Sequence, residues 1–314
     1  MSFEQHRRVA RGSDAAEREH SRPDLTTDDR IAVLGAGLMG SQIGIEFALH
    51  GFHVHFLEAD GARAQGRIRE TFERVRELNL ADADAVDAAG RSITVVRDVD
   101  ELPVSLRLVV ECLPEDLDLK VRILRAVSVH ADEAVLASNT SSLSIAALGQ
   151  GVGTPERTVG MHYWNPPLLM PLVEVTSGPD TGSAAVELVT RAVEVVGKVA
   201  VLVQRDVPGF IWNRLQMAVL REALWLLDND VATVDTIDKV AQLGLARRWR
   251  QTGLFGSIAL GGGSIWETVA ANLFPQLSCA SDASGLARRM REEEARWNDL
   301  EHRRDEGLAH DPVE

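Results

Sequence analysis

The sequence predicts an α/β fold, a doubly wound N-terminal sheet followed by a smaller all-α C-terminal domain. Three observations carry that expectation. Short aliphatic runs at 31–34, 108–113 and 134–138 recur between helical stretches, as the buried strands of a parallel sheet do. The first run leads directly into Gly35-Ala36-Gly37-Leu38-Met39-Gly40. From Asp206 onward the signals are helical. The chain has 314 residues, enough for about two domains of ~150. The expected divisions are a polar, mobile leader over 1–29, a sheet domain over 30–205 and a helical domain over 206–314.

Ile31-Ala32-Val33-Leu34 reads as the first strand, and 41–50 as the helix after the turn. In a G-x-G-x-x-G turn the first glycine permits the tight bend, the second admits a pyrophosphate, and the third lets helix and strand pack closely. The helix N-terminus then offers free N–H groups to an anion. His53-Val54-His55-Phe56-Leu57-Glu58 is a second strand ending in an acid, about 20 residues beyond the turn, where this Rossmann-type arrangement places the carboxylate that bonds a ribose. Gly35, Gly37, Leu38, Met39, Gly40 and Glu58 are therefore the expected cofactor contacts, with NAD favoured because Glu58 repels a 2′-phosphate. His53 and His55 alternate along one strand with no third ligand nearby, so no metal site is expected there.

Residues 62–80 form a helix of alternating charge, expected to be a solvated face with i,i+4 pairs. The strand at 108–113 leads to a helix carrying Asp118 and Lys120, and the strand at 134–138 is closed by Asn139-Thr140-Ser141-Ser142. Loops at the carboxyl ends of parallel strands are where such sheets bind ligands, which marks Glu115, Asn139 and Ser141. Ser142 is equally readable as a helix cap. His162, in Met161-His162-Tyr163-Trp164-Asn165-Pro166, lies just upstream of Glu174, and a histidine with a carboxylate partner is suited to moving a proton near neutral pH. Without its surroundings, His162 would read as a core histidine.

The net charge of -14 argues against nucleic acid or an anionic membrane as partner. Cys112 and Cys279, the only cysteines, fit two free thiols in a reducing, cytoplasmic setting. The 210–228 stretch is apolar on more than one side, and 287–304 reads as a charged, solvated terminal helix.

Ser138-Asn139-Thr140-Ser141-Ser142-Leu143, the 162–166 run, Pro171-Leu172-Val173-Glu174-Val175 and Asp206-Val207-Pro208-Gly209-Phe210-Ile211-Trp212-Asn213-Arg214 together resemble the 3-hydroxyacyl-CoA dehydrogenase family over nearly everything after Arg30. The resemblance implies His162 as catalytic base, Glu174 as its orienting partner, and Ser141 and Asn213 as contacts to the reacting oxygen. It also implies Glu58, Glu115, Lys120, Ser141 and Asn165 as NAD contacts, and a C-terminal domain that dimerises. Leu78 stands where members that bind coenzyme A carry a lysine, and 79–90 is short for their helical arm. The 111–115 and 165–175 motifs are similar to the gulonate and carnitine dehydrogenase branch. The expected substrate is an L-3-hydroxyacyl-CoA, as in fatty acid metabolism. The alternatives are a free 3-hydroxy acid or a nucleotide-binding protein without turnover.

Overall fold

The structure is a computed structural model that describes residues 25–284 and 300–311, with 286, 288 and 291 between them. Eight strands form one sheet: β1 (Arg30–Leu34), β2 (His53–Leu57), β3 (Ile93–Val96), β4 (Leu106–Glu111), β5 (Val135–Ser138), β6 (Thr158–Tyr163), β7 (Leu172–Ser177) and β8 (Val199–Val203). Their order is β3-β2-β1-β4-β5-β6-β7-β8. Neighbours are parallel from β3 through to β6 and again between β7 and β8, while β6 and β7 run antiparallel. The order reverses at β1, so a crevice opens beyond the carboxyl ends of β1 and β4.

Strand periodicity explains the continuous apolar runs. Ile31 and Val33 face one buried cluster with Phe47, Phe56 and Val110, whereas Ala32 and Leu34 face another with Val109, Leu124 and Leu136. With helices on both faces, these strands are apolar on both sides, and buried polar side chains of the sheet such as Glu111, His162 and Glu174 find hydrogen-bond partners. The helices are α1 (Leu38–Leu49), α2 (Gly61–Glu77), α3 (Ala83–Arg91), α4 (Leu117–His130), α5 (Ile145–Val152) and α6 (Ser183–Val195). Asp60, Asp82, Asp116 and Ser144 each accept an N–H bond at the start of the helix they precede, which fixes where α2, α3, α4 and α5 begin.

The compact units of the structure divide the chain differently from the expected boundaries at three places. Residues 1–24 of the leader lie outside the described residues, but Leu25 is buried in the first cluster and 26–29 form a turn, so the ordered sheet domain starts earlier than expected. The first compact unit continues past 205 to Ile211. Much of the helix expected at 287–304 lies outside the described residues. The helix that is described, α11 (Leu300–Ala309), belongs to the first unit rather than the helical one. Asp305, just beyond the expected stretch, is buried and receives Arg74 of α2 at 3.1 Å, while 300–303 are exposed as expected.

The second unit, taken by itself, is helical. It holds α7 (Trp212–Asp228), α8 (Val234–Val240), a π-helical turn (Ala241–Ala246), α9 (Arg247–Gly261) and α10 (Gly263–Leu273). Its surface carries large exposed apolar side chains, among them Leu215, Met217, Leu243, Phe255, Leu260 and Phe274. Among the described residues no helix is long and apolar enough to cross a membrane.

Candidate active site

At the carboxyl end of β1 the chain turns through Gly35, whose φ of +93° suits glycine alone. A Cβ on Gly40 would lie 2.0 Å from the Gly35 carbonyl oxygen, so strand and helix are packed as tightly as backbone permits. Gly37 differs. It caps α1 with no side chain to accept the helix's first N–H groups, and a Cβ there would meet nothing within 4 Å. Open space therefore lies over an uncapped helix N-terminus, the arrangement an anionic pyrophosphate needs. Leu38 is exposed at the start of α1 and Met39 packs against the core. The Glu58 carboxylate sits beside the turn, accepting the Ala36 N–H at 3.2 Å and the Asp60 N–H at 3.4 Å. Turn, helix end and acid together fit NAD, the chain's cofactor.

These two glycines predict opposite outcomes. Gly37→Val leaves the urea midpoint unchanged and weakens NAD binding by about tenfold or more, roughly 1.4 kcal/mol. Gly40→Ala loses about 1–3 kcal/mol of folding stability by overpacking. Unchanged NAD affinity in Gly37→Val would remove the turn as the phosphate site.

Beyond β4 a second cluster binds two loops together. Lys120 on α4 is wholly buried, its ammonium donating to Glu111 at 2.6 Å and the Leu113 carbonyl at 3.0 Å, with Glu115 at 3.3 Å. Glu115 in turn accepts from the Thr140 hydroxyl (2.6 Å), the Ser141 N–H (3.0 Å) and the N–H and hydroxyl of Ser142 (2.9 and 2.8 Å). Burial opposes ionisation of Glu115. The hydrogen bonds from Thr140 and Ser142, with Lys120 nearby, outweigh it and hold the carboxyl down at about 2. Asn139 donates its N–H to the Glu111 carbonyl at 2.9 Å and accepts the Tyr163 N–H at 2.8 Å. The loop bearing Ser141 is thereby fixed against the strand bearing His162.

The antiparallel register of β6 and β7 sets His162 directly opposite Glu174. His162 Nδ1 lies 2.8 Å from Glu174 Oε2, and Nε2 lies 3.2 Å from the Ser141 hydroxyl. A carboxylate is acceptor-only, so Nδ1 carries the proton and Nε2 presents its lone pair toward Ser141. Histidine and glutamate are both buried, at 4% and 1% exposure. Glu174 also accepts from Trp164 Nε1 at 3.3 Å and the Ile211 N–H at 2.9 Å. The Phe210 ring packs against the imidazole, centroids 5.5 Å apart.

Of the residues singled out in the sequence, Ser141, His162 and Glu174 thus form one hydrogen-bonded chain, which Asn139, Glu115 and Lys120 support from behind. Asn165 is exposed on the segment that follows β6. Asn213 lies in the first turn of α7, in the second unit. Sequence reasoning missed four contributors. Glu111 holds Lys120; Phe210 and the Ile211 N–H hold the histidine pair; Asp206 accepts from Ser144 (2.7 Å) and the Ala146 N–H (3.0 Å), fixing the start of α5. The Asp206 motif was visible as a pattern, but its partners lie some sixty positions earlier in the chain.

Comparison with known proteins follows the same division. The family description "3-hydroxyacyl-CoA dehydrogenase, NAD binding domain" matches residues 30–207, and "3-hydroxyacyl-CoA dehydrogenase, C-terminal domain" matches 209–297. The chain is 35% identical over 238 residues to an L-carnitine dehydrogenase of Streptomyces griseus subsp. griseus, covering 74% of this chain and 70% of that one. Its structure is similar to that of 5-formyl-3-hydroxy-2-methylpyridine 4-carboxylic acid 5-dehydrogenase, an NAD+ dependent dismutase, with a TM-score of 0.78, 25% identity, and 89% and 96% of the two chains covered. It is also similar to (S)-3-hydroxybutyryl-CoA dehydrogenase PaaH1 from Ralstonia eutropha, with a TM-score of 0.65, 28% identity, and 69% and 77% covered.

Proposed function

Since the chain belongs to the 3-hydroxyacyl-CoA dehydrogenase family, we propose that it oxidises a secondary alcohol on a small free hydroxy acid, with His162 as the base. The observation that carries this reading is the buried Glu174–His162–Ser141 chain. Bound NAD supplies the hydride acceptor. The substrate hydroxyl gives its proton to His162 Nε2 while hydride leaves the adjacent carbon, and Glu174 stabilises the imidazolium that results. Ser141 holds the reacting oxygen, and the family pattern adds the Asn213 amide as a second polar contact to it. Glu115 and Lys120 act by shaping the loop at 139–142 along the cofactor; Asn165 contacts it directly.

The free acid takes precedence over the thioester on the strength of the relatives. An L-carnitine dehydrogenase is among the most similar proteins, and the pyridine carboxylate enzyme matches more of the chain than the hydroxybutyryl-CoA enzyme does. The thioester, and with it fatty acid metabolism, is the second reading, favoured by the family's own description. NADH formation decides between them. L-carnitine and other free 3-hydroxy acids should turn over at least about tenfold faster, in kcat/KM, than 3-hydroxybutyryl-CoA. The reverse order establishes the thioester, and no turnover of either class removes the enzyme reading.

A homodimer through the second unit follows from the same reading, because that unit leaves large apolar side chains such as Phe255 (80% exposed) and Leu260 (79%) in solvent, and exposed apolar surface of this kind marks interfaces. Light scattering should then return twice the 34.3 kDa chain mass, and a monomer would overturn it. The two free thiols fit a cytoplasmic setting.

A further inference from the structure

The segment 164–171, which joins β6 to β7 and carries Asn165, is fastened at its far end by a buried ion pair. Lys198, the residue before β8, donates from Nζ to the Met170 carbonyl at 2.7 Å and to Glu46 Oε1 at 2.8 Å. Glu46 belongs to α1, the helix whose N-terminus opens on the dinucleotide turn. The two side chains are 6% and 7% exposed. Gln42, one turn earlier on α1, makes a second tie by accepting the Leu168 N–H at 3.4 Å. Beside the pair lies Tyr163, the neighbour of His162, with Lys198 Nζ 6.0 Å from its ring centre.

We propose that Glu46 and Lys198 are positioning residues for the reaction, their pair tying the Asn165 segment to α1 so that the dinucleotide turn and the His162–Ser141 pair keep one register. This rests on the dehydrogenase reading above. A buried pair is a poor device for stability, since well-packed apolar replacements of similar volume are often neutral or stabilising. It is a good device for geometry. The bond to Met170 and the bond to Glu46 meet at one nitrogen, so segment and helix cannot shift independently.

Charge supports the same assignment. Burial pushes the Glu46 carboxyl up to about 7, Lys198 and Tyr163 offsetting only part of the penalty. The ionisable groups facing Glu46 are Lys198 and Tyr163. The Tyr163 hydroxyl is held un-ionised by burial and by Glu46, with Cys112 adding to the effect. Neither that hydroxyl nor Glu46 Oε2 has a hydrogen-bond partner of ordinary geometry. The native chain binds the Glu46 proton more tightly than the unfolded chain, so the fold is favoured below the unfolded carboxyl range and loses that contribution as pH rises to about 7. The ion pair itself needs Glu46 ionised, so the tie loosens as pH falls through the same value.

Tyr163 is the only tyrosine of the chain, so a 13C label at tyrosine Cζ gives one NMR signal inside this cluster. In the wild type that signal should titrate with a midpoint near 7 and shift on adding NAD; Glu46→Gln should abolish the pH step. The double variant Glu46→Leu with Lys198→Met should fold and bind NAD while its kcat/KM for the hydroxy acid falls about 10- to 100-fold, the scale of a small misplacement of reacting groups. A Tyr163 signal indifferent to both pH and NAD overturns the proposal, as does a double variant with wild-type kcat/KM. A wild type that turns over no alcohol counts against the dehydrogenase reading instead, and the NMR result, which needs no substrate, still decides the role of the pair.

Discussion

His162→Gln lowers kcat by about 10²- to 10⁴-fold while NAD still binds, because a positioned base contributes on that scale to removing a hydroxyl proton. Glutamine keeps roughly the reach of the imidazole but has no nitrogen that accepts a proton at neutral pH. Its amide N–H₂ can still donate to Glu174, so the buried carboxylate keeps a partner in addition to Trp164 and the Ile211 N–H. The fold should therefore survive. The proposed cofactor contacts at Gly37 and Glu58 belong to the turn after β1 and the end of β2, apart from the β6–β7 pair, so titration calorimetry with NAD should give a wild-type Kd. Unchanged kcat in this variant would remove His162 as the base. Loss of NAD binding along with kcat would mean that the imidazole shapes the cofactor site rather than the proton transfer.

The contrast between these two parts of the site explains what could be read from the sequence. The glycine turn was legible because strand, turn, helix and acid follow one another closely, and each has a local chemical reason. His162 and Glu174 were recognisable as residues, but their pairing is a product of β6 and β7 running antiparallel inside an otherwise parallel sheet. Neither β6 nor that reversal had a local signature. The edge strands β3 and β8 were equally silent, each being only four or five residues with no turn motif to announce it. The resemblance makes Lys120 a cofactor contact; that its ammonium is enclosed by Glu111, Leu113 and Glu115 was not legible in the sequence. The docking of α11 through Arg74 and Asp305 joins residues 231 positions apart, a contact no periodicity can encode. Local chemistry was visible; long-range register was not.

Glu174→Gln should lower kcat by about 10²-fold or more, on the scale seen when the carboxylate of a histidine pair becomes an amide. The donors around Glu174 include His162 Nδ1, Trp164 Nε1 and the Ile211 N–H. An ionised carboxylate accepts from all of them, whereas an amide has one oxygen and an N–H₂ that must face a donor. If the amide oxygen stays with Ile211, its N–H₂ points at His162 Nδ1 and selects the tautomer in which Nδ1 is the acceptor. The proton then sits on Nε2, facing Ser141 and the substrate, where a lone pair is needed. The imidazolium formed during oxidation also loses its counter-charge in a buried setting. Two measurements separate this from simple destabilisation. One unsatisfied buried donor costs about 1–3 kcal/mol, which chemical denaturation reads directly. The tautomer change is read by 15N NMR of His162, where the protonated nitrogen should move from Nδ1 to Nε2. Glu174→Asp, which keeps the charge but shortens the reach, should recover part of kcat. A Gln variant with wild-type kcat, or one that is slow with its Nδ1 proton still in place, would show that Glu174 is packing for β7 and not the orienting partner of the base.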